Sequence, residues 1–230
     1  MSRGGPQVIP RPEEWRPGAA APWAHIPEAE RAITIADLRR AFTGRVGAPS
    51  VAESPATRGS AVLAPFYEEA GELWVVLTRR SWTLRAHTGE VAFPGGRIEP
   101  GETAPAAALR EAREEVALDP ATVEVLGELD HLMTITSSSF IVPFVGVLDG
   151  GRPQLVANPG EVDAVLHVQV AELLRDDVFR EERWQFTAAD IERQIFFFEL
   201  EDDTLWGATA AMLRHLLALA LGVPIGIDHA

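Results

Sequence analysis

Cysteine is missing from all 230 residues. That excludes disulfides, thiolate metal ligands and a cysteine nucleophile, and it leaves the redox compartment open. Lysine is missing too. All 20 basic residues are arginine, set against 34 acidic ones, for a formal charge of −14. Phosphate backbones are held by basic surfaces, so a chain this acidic is not a general nucleic-acid binder. To handle a phosphorylated ligand it needs local arginines or bound cations that offset its own field. Long apolar runs are also absent. FIVPFVGVL (140–148) and LLALALGVPIGI (216–227) are too short, or too interrupted by Gly and Pro, to span a bilayer. The first residues, MSRGGPQVIPRPEEWRPG, lack an apolar core and carry Glu13 and Glu14, so neither a secretory nor a transit segment is expected. No internal repeat is visible. Together these absences predict a soluble, cytoplasmic protein with no membrane or nucleic-acid partner.

What is present is enough for a core: 47% of the residues are hydrophobic. Residues 1–30 are rich in Pro, Ala, Gly and Glu and read as an irregular or loosely docked extension. TIADLRRAF (34–42) predicts a short helix with Thr34 and Asp37 in capping-box positions. GAPSVAESPATRGS (47–60) reads as a linker. The expected organisation is therefore an extension over 1–50 and a domain over 51–230. Within that domain SAVLAPFYEE (60–69) and GELWVVLTRR (71–80) predict a hairpin turning at EEAGE. GEVAFPGG (89–96) predicts a strand ended by a glycine corner. A helix is expected at 103–117. Strands are expected in TVEVLGEL, FIVPFVGVL, AVLHVQV and RQIFFFEL, and a final helix in 204–221. Strands around a few helices, without regular alternation, indicate α+β with a mixed sheet.

One segment carries chemistry. In GGRIEPGETAPAAALREAREEVAL (95–118), Thr103 is placed to cap the helix and Pro105 sits in its first turn. At about 100° per residue, Pro105, Leu109, Ala112 and Val116 share a face that can pack on a sheet. Glu111, Glu114 and Glu115 are then expected on the other side, with Arg110 reaching back toward Glu102. A solvated helix face tolerates such like charges at a few tenths of a kcal/mol per pair. A hard divalent cation, magnesium or manganese, would turn the same repulsion into binding and could clamp a diphosphate and activate water. The spacing decides between the two. Gly96, five residues, Glu102, seven residues, Arg110-Glu111, two residues, Glu114-Glu115 fixes six positions. At roughly 6% usage per residue type, chance supplies that match on the order of once in 10⁵ such chains.

The spacing resembles the Nudix box, a 23-residue loop-helix motif that here covers residues 96–118. Ala117 stands where the family usually has glycine, and Ala112 where a larger aliphatic residue is usual. Upstream, LTRRSWTLRAHTGEVAFPGG (77–96) is similar to the signature of one branch, the coenzyme A diphosphatases. Leu77, Thr78, Arg80, Ser81, Arg85, Gly89, Phe93, Pro94, Gly95 and Gly96 match it, and Val76 replaces the usual leucine. The resemblance covers about residues 57–222. His131 occupies a place expected to be acidic.

The resemblance implies a Nudix fold, an α/β/α sandwich around a central mixed sheet, and hydrolysis of coenzyme A or its thioesters to 3',5'-ADP and 4'-phosphopantetheine. It implies Mg2+ or Mn2+ held by Glu111, Glu115, Glu114 and the carbonyl of Gly96. Glu114 is implied as ligand or water activator, Glu161 of NPGEV as general base, and Arg110 with Glu102 as the pair that orients helix and loop. Arg79, Arg80, Arg85 and Arg97 are the candidates for phosphate contact, since arginine forks suit bidentate anions. Another nucleoside diphosphate compound, such as ADP-ribose or a dinucleoside polyphosphate, and a non-catalytic nucleotide-binding regulator are the rival readings. His87, between Arg85 and Gly89, reads as structural, with a place facing the site as the alternative; His131, His167 and His215 show no metal-ligand spacing. SSS (137–139) lacks a nucleophile elbow. Phe196 to Phe198 reads as a buried strand, and Phe140 and Trp206 as core, with the border of the ligand pocket as the alternative. The apolar C-terminal helix is free to serve as core or as the interface of a homodimer.

Overall fold

The computed structural model describes residues 3–49, 58–84, 86–133, 139–186 and 191–224. In chain order the elements are β1 (Trp15–Pro17), α1 (Ile35–Phe42), β2 (Arg58–Glu69), β3 (Glu72–Arg80), β4 (Val91–Ala92), β5 (Gly95–Arg97), α2 (Ala104–Val116), β6 (Val123–Glu128), β7 (Leu132–Met133), β8 (Ser139–Leu148), β9 (Val162–Gln169), α3 (Val170–Leu173), β10 (Phe179–Phe186), β11 (Ile191–Glu199), β12 (Thr204–Trp206) and α4 (Gly207–Ala220). They fall into two compact units, residues 34–170 and residues 1–33 with 171–230. The compositional boundary at residues 50/51 coincides with neither junction. Among the described residues, no helix is long and apolar enough to cross a membrane.

In the unit of residues 34–170 the strands form one mixed sheet, ordered β4-β3-β2-β8-β6, with β5 on β2, β7 on β8 and β9 on β3. β2 and β8 run parallel from Arg58↔Ser139 to Phe66↔Val147, and the other pairings are antiparallel. The β2–β3 hairpin turns at Ala70 and Gly71, both at positive φ, where the sequence expects its turn. Helix α1 begins with the expected capping box: the Thr34 side chain accepts from the Asp37 amide and Asp37 accepts from the Thr34 amide. Helix α2 lies on the sheet through small residues. Ala107, Ala108, Ala112 and Val116 are buried with Ala61, Leu63, Val76, Val142 and Phe144. Four alanines' worth of missing bulk lets helix and sheet backbones come close. Its buried face is rotated from the expected one: Pro105 is exposed, Leu109 only half-buried, and Glu115 is buried. Thr103 holds the N-cap position without a side-chain cap bond.

In the other unit, β1, β10, β11 and β12 make an antiparallel sheet. Strand β10, FREERWQF, escapes a pattern search because its charges hide it. Glu181 and Glu182 are buried there; Arg180, Arg11 and the Trp184 indole N–H satisfy Glu182, and Arg183 bonds one oxygen of Glu181. The expected final helix loses its first turn: Thr204–Trp206 pairs with β11, and Gly207 at φ 65 starts α4. Phe196 to Phe198 are buried in β11, as the sequence predicts. The N-terminal extension is more ordered than its composition suggests. Trp23 is fully buried beside Phe179 and Phe198, Arg31 donates to the Leu174 carbonyl at 2.6 Å, and Gln7 donates to Asp203 at 2.6 Å.

Candidate active site

Two local features bring the site together in the unit of residues 34–170. The first is the glycine corner. β5 pairs with β2, Val62↔Gly95 and Ala61↔Gly96, and this lays residues 95–97 alongside α2. A Cβ on Gly96 would lie 2.5 Å from the Glu111 carboxylate carbon, so only glycine lets that carboxylate rest against the backbone. The adjacent Gly95 amide donates to Glu115 Oε2 at 3.1 Å. The second feature is the turn NPGE. The Asn158 amide donates to the Glu115 carbonyl at 2.8 Å, at the end of α2. The Asn158 carbonyl then accepts the Glu161 amide at 3.0 Å, and its side chain accepts the Gly160 amide at 3.2 Å. Ser81 N donates to the Glu161 carbonyl at 2.8 Å, so strand β3 also holds that turn.

The carboxylates differ in surroundings. Glu115 is 4% exposed, and burial pushes its carboxyl up to about 7. The Gly95 N–H and the Arg80 guanidinium, 3.8 Å away, pull it down, while the charges of Glu111 and Glu161 push it further up. Glu111 is half-buried and is raised chiefly by burial; Arg110 opposes the rise, and Glu114 and Glu161 add to it. Glu111, Glu115 and Glu161 thus share one electrostatic neighbourhood, although Glu161 comes from a loop 46 positions beyond Glu115 in the chain. Glu114 is exposed.

Arg110 is the organising cation. Its Nε and Nη2 fork onto Glu102 at 2.9 and 3.1 Å, and Nη2 also reaches the Arg97 carbonyl at 2.9 Å. Its Nη1 bonds Glu114 at 3.1 Å and lies 3.0 Å from Glu111. Glu102 takes a further bond from the Glu99 amide at 3.1 Å, and the fork with Arg110 holds it below the usual carboxylate range. The expected pairing of Arg110 with Glu102 is therefore present, and the loop before α2 is pinned to the helix.

Of the arginines expected to meet phosphate, Arg80 faces Glu115 and Arg79 pairs with Asp163 at 2.9 Å. Arg97 is exposed and makes no ion pair among the described residues. Arg85 lies outside the described residues. His87 is exposed and bonds Glu90 at 2.9 Å, His131 stacks on Phe140, and His167 bonds the Tyr67 hydroxyl at 2.8 Å, so these three have structural partners.

Among the described residues, no three Asp, Glu or His side chains converge closely enough to hold a metal ion as they stand. The arginines account for this: Arg110 draws Glu114 and Glu111 to itself, and Arg80 with Gly95 holds Glu115. The donor chemistry still fits a hard divalent cation. Hard carboxylate oxygens, two of them raised by burial and mutual repulsion, flank a glycine whose missing Cβ leaves room for the Glu111 carboxylate. Asn158 is the residue that sequence reasoning passed over. Its signal was the Asn-Pro-Gly triplet, a turn former, but nothing in the sequence says that this turn grips the end of α2.

A NUDIX domain profile matches residues 57–189. The chain is 33% identical over 182 residues to "Nudix hydrolase 3" of Caenorhabditis elegans, covering 74% of this chain and 76% of that protein. It is 37% identical over 172 residues to a NudL Nudix hydrolase of Escherichia coli, covering 72% and 84%. The solved structure of a Nudix hydrolase from M. smegmatis, RenU, superposes with a TM-score of 0.49 at 19% identity, over 73% of this chain and 88% of that one.

Proposed function

We propose that this chain, which belongs to the Nudix family and is a hydrolase of phosphoanhydride bonds in a nucleoside diphosphate derivative, acts on coenzyme A or its acyl thioesters. The products would be 3',5'-ADP and 4'-phosphopantetheine or its acyl form. One observation carries this reading. The coenzyme A-type segment 77–96 and the box helix meet at Glu115, which receives the Gly95 amide and faces the Arg80 guanidinium. The segment that distinguishes the branch is thereby tied to the residues that would do the chemistry.

In this reading Glu111, Glu115, Glu114 and the Gly96 carbonyl would hold Mg2+ or Mn2+. When bound, such ions neutralise the diphosphate and polarise its oxygens. The chain's own groups do the rest. Arg80 and Arg97, with Arg79 and Arg85, receive phosphate oxygens, which a protein of charge −14 would otherwise repel. Arg110 keeps the loop of residues 97–102 against α2 and so keeps Gly96 in place. A water oxygen forms the new bond to phosphorus while the bridging P–O bond breaks and its electron pair leaves with the other phosphate. Glu161, suspended between Ser81 and Asn158, accepts the proton from that water. Glu114, exposed beside Arg110, is the alternative acceptor.

The test is direct. Coenzyme A is incubated with the protein and magnesium, and the mixture is read by mass spectrometry. The proposal expects 3',5'-ADP. Rapid ADP-ribose cleavage with coenzyme A left intact would overturn it.

A further inference from the structure

Trp82 follows directly on the residues that tie β3 to the site. The side chain of Arg80 faces Glu115, and the amide of Ser81 holds the Glu161 carbonyl. The next residue is an indole left 42% exposed. Exposing so much apolar ring costs stability that burial would otherwise supply, so its position calls for an explanation.

Hydrogen bonds tie down the loop that carries that ring. Arg80 N donates to the Glu90 carbonyl at 2.9 Å, closing the loop's base. Within it, Ser81 Oγ bonds Thr83 Oγ1 at 2.9 Å, Leu84 N reaches the Ser81 carbonyl at 3.3 Å, and Thr88 Oγ1 donates to the Leu84 carbonyl at 3.1 Å. Gly89 supplies the floor. A Cβ there would lie 2.3 Å from Cη2 and Cζ3 of the indole, and its φ of +68° is one that other residues rarely adopt. The benzo edge therefore lies against bare backbone, and a larger residue would displace it. Trp15, the other half-exposed tryptophan, carries the Arg11 guanidinium 4.3 Å from its ring centroid. Among the described residues, no ring or guanidinium covers Trp82.

We infer that Trp82 is the stacking wall for the substrate's nucleobase. The inference rests on the reading of this site as one that takes a nucleoside diphosphate derivative. An exposed indole at the end of the strand that carries Arg79 and Arg80 suits a flat, neutral group joined to the phosphates. A nucleobase is such a group, whereas a flexible pantetheine arm offers no plane to stack. The acidic field of the protein gives a base no charge attraction, and stacking recognises a base without needing one. Trp82 is then a specificity residue: it separates substrates by the half of the diphosphate that carries a ring.

The test uses binding by the full chain in the presence of magnesium, with ADP and inorganic pyrophosphate as probes. Both are titrated calorimetrically into wild type, Trp82→Ala and Trp82→Phe. The expected result is that wild type binds ADP more tightly than pyrophosphate. Trp82→Ala should weaken ADP about 10-fold and leave pyrophosphate unchanged, and Trp82→Phe should retain most of the ADP affinity. Three results would overturn the inference: wild type failing to prefer ADP, Trp82→Ala binding ADP as wild type does, or both probes weakening equally. None of these readouts depends on turnover, so a failure to cleave coenzyme A would sink the substrate proposal while leaving this one separately decided.

Discussion

On the proposed reading, Glu115 is the residue at which folding and function pull in opposite directions. Its carboxyl is buried and pushed up to about 7 from an ordinary 4.5. The unfolded chain releases that proton near pH 4.5 and the metal-free fold only near 7. Between those values the folded state binds more protons, so stability falls as pH rises. The contribution is fully present below about pH 4.5 and lost once pH passes about 7, a change on the order of 3 kcal/mol. Glu115→Gln carries no titrating group. Urea unfolding of metal-free protein should show the variant more stable than wild type at pH 8 and much closer to it at pH 4.5, while its hydrolysis rate falls at least about 100-fold. Equal pH profiles for the two proteins would refute the assignment. Arg110→Lys is the second test at this scale. A lysine cannot fork onto Glu102 while also reaching the Arg97 carbonyl and Glu114, so a rate loss of about 10- to 100-fold with little loss of fold is expected, checked by steady-state kinetics beside circular dichroism. The identities of these residues were legible in the sequence through their spacing. Their burial was not: Glu115 turns inward because the Gly95 amide meets it, a contact made across 20 residues by the pairing of β5 with β2.

Helix α2 was legible almost residue for residue, 103–117 expected against Ala104–Val116 found. The spacing of small apolar residues and the following turn mark its ends. The face it buries was misjudged, because alanines carry little hydrophobic signal yet allow the closest approach to the sheet. Ala117, where the family usually has glycine, ends the helix at φ 56, with its amide bonded to the Arg113 carbonyl at 3.0 Å. A left-handed conformation costs a non-glycine residue about 1–2 kcal/mol, part of which glycine returns through its freer unfolded chain. Ala117→Gly should therefore stabilise the protein by about 0.5–1 kcal/mol, seen as a melting temperature raised by about 2 °C; a lower one would contradict the cap geometry. The short strands β4, β5, β7 and β12 and the charged β10 were not legible as drawn. Two or three residues carry no periodicity, and in β10 arginines pair with buried glutamates that a pattern search reads as surface.

At the scale of the whole molecule, composition misled where anchors were few. A Pro- and Gly-rich N-terminus reads as loose, yet Trp23 is fully buried between Phe179 and Phe198. Trp23→Ala should cost about 3–5 kcal/mol in the unit of residues 1–33 and 171–230, measured by urea unfolding; a neutral substitution would mean that this aromatic cluster does not hold the extension. The charge of −14 has a matching consequence. On the proposed reading, arginines engaged with glutamates leave divalent cations to receive an anionic substrate. The central claim is thus that Glu111, Glu115 and their neighbours take up such cations, which then grip a phosphoanhydride. Isothermal calorimetry of wild type and a Glu111→Gln, Glu115→Gln double variant, titrated with Mn2+ in the presence and absence of ADP, tests it most directly. The account predicts uptake by wild type, tighter with ADP present, and none by the variant; wild type taking up no cation under either condition would contradict it.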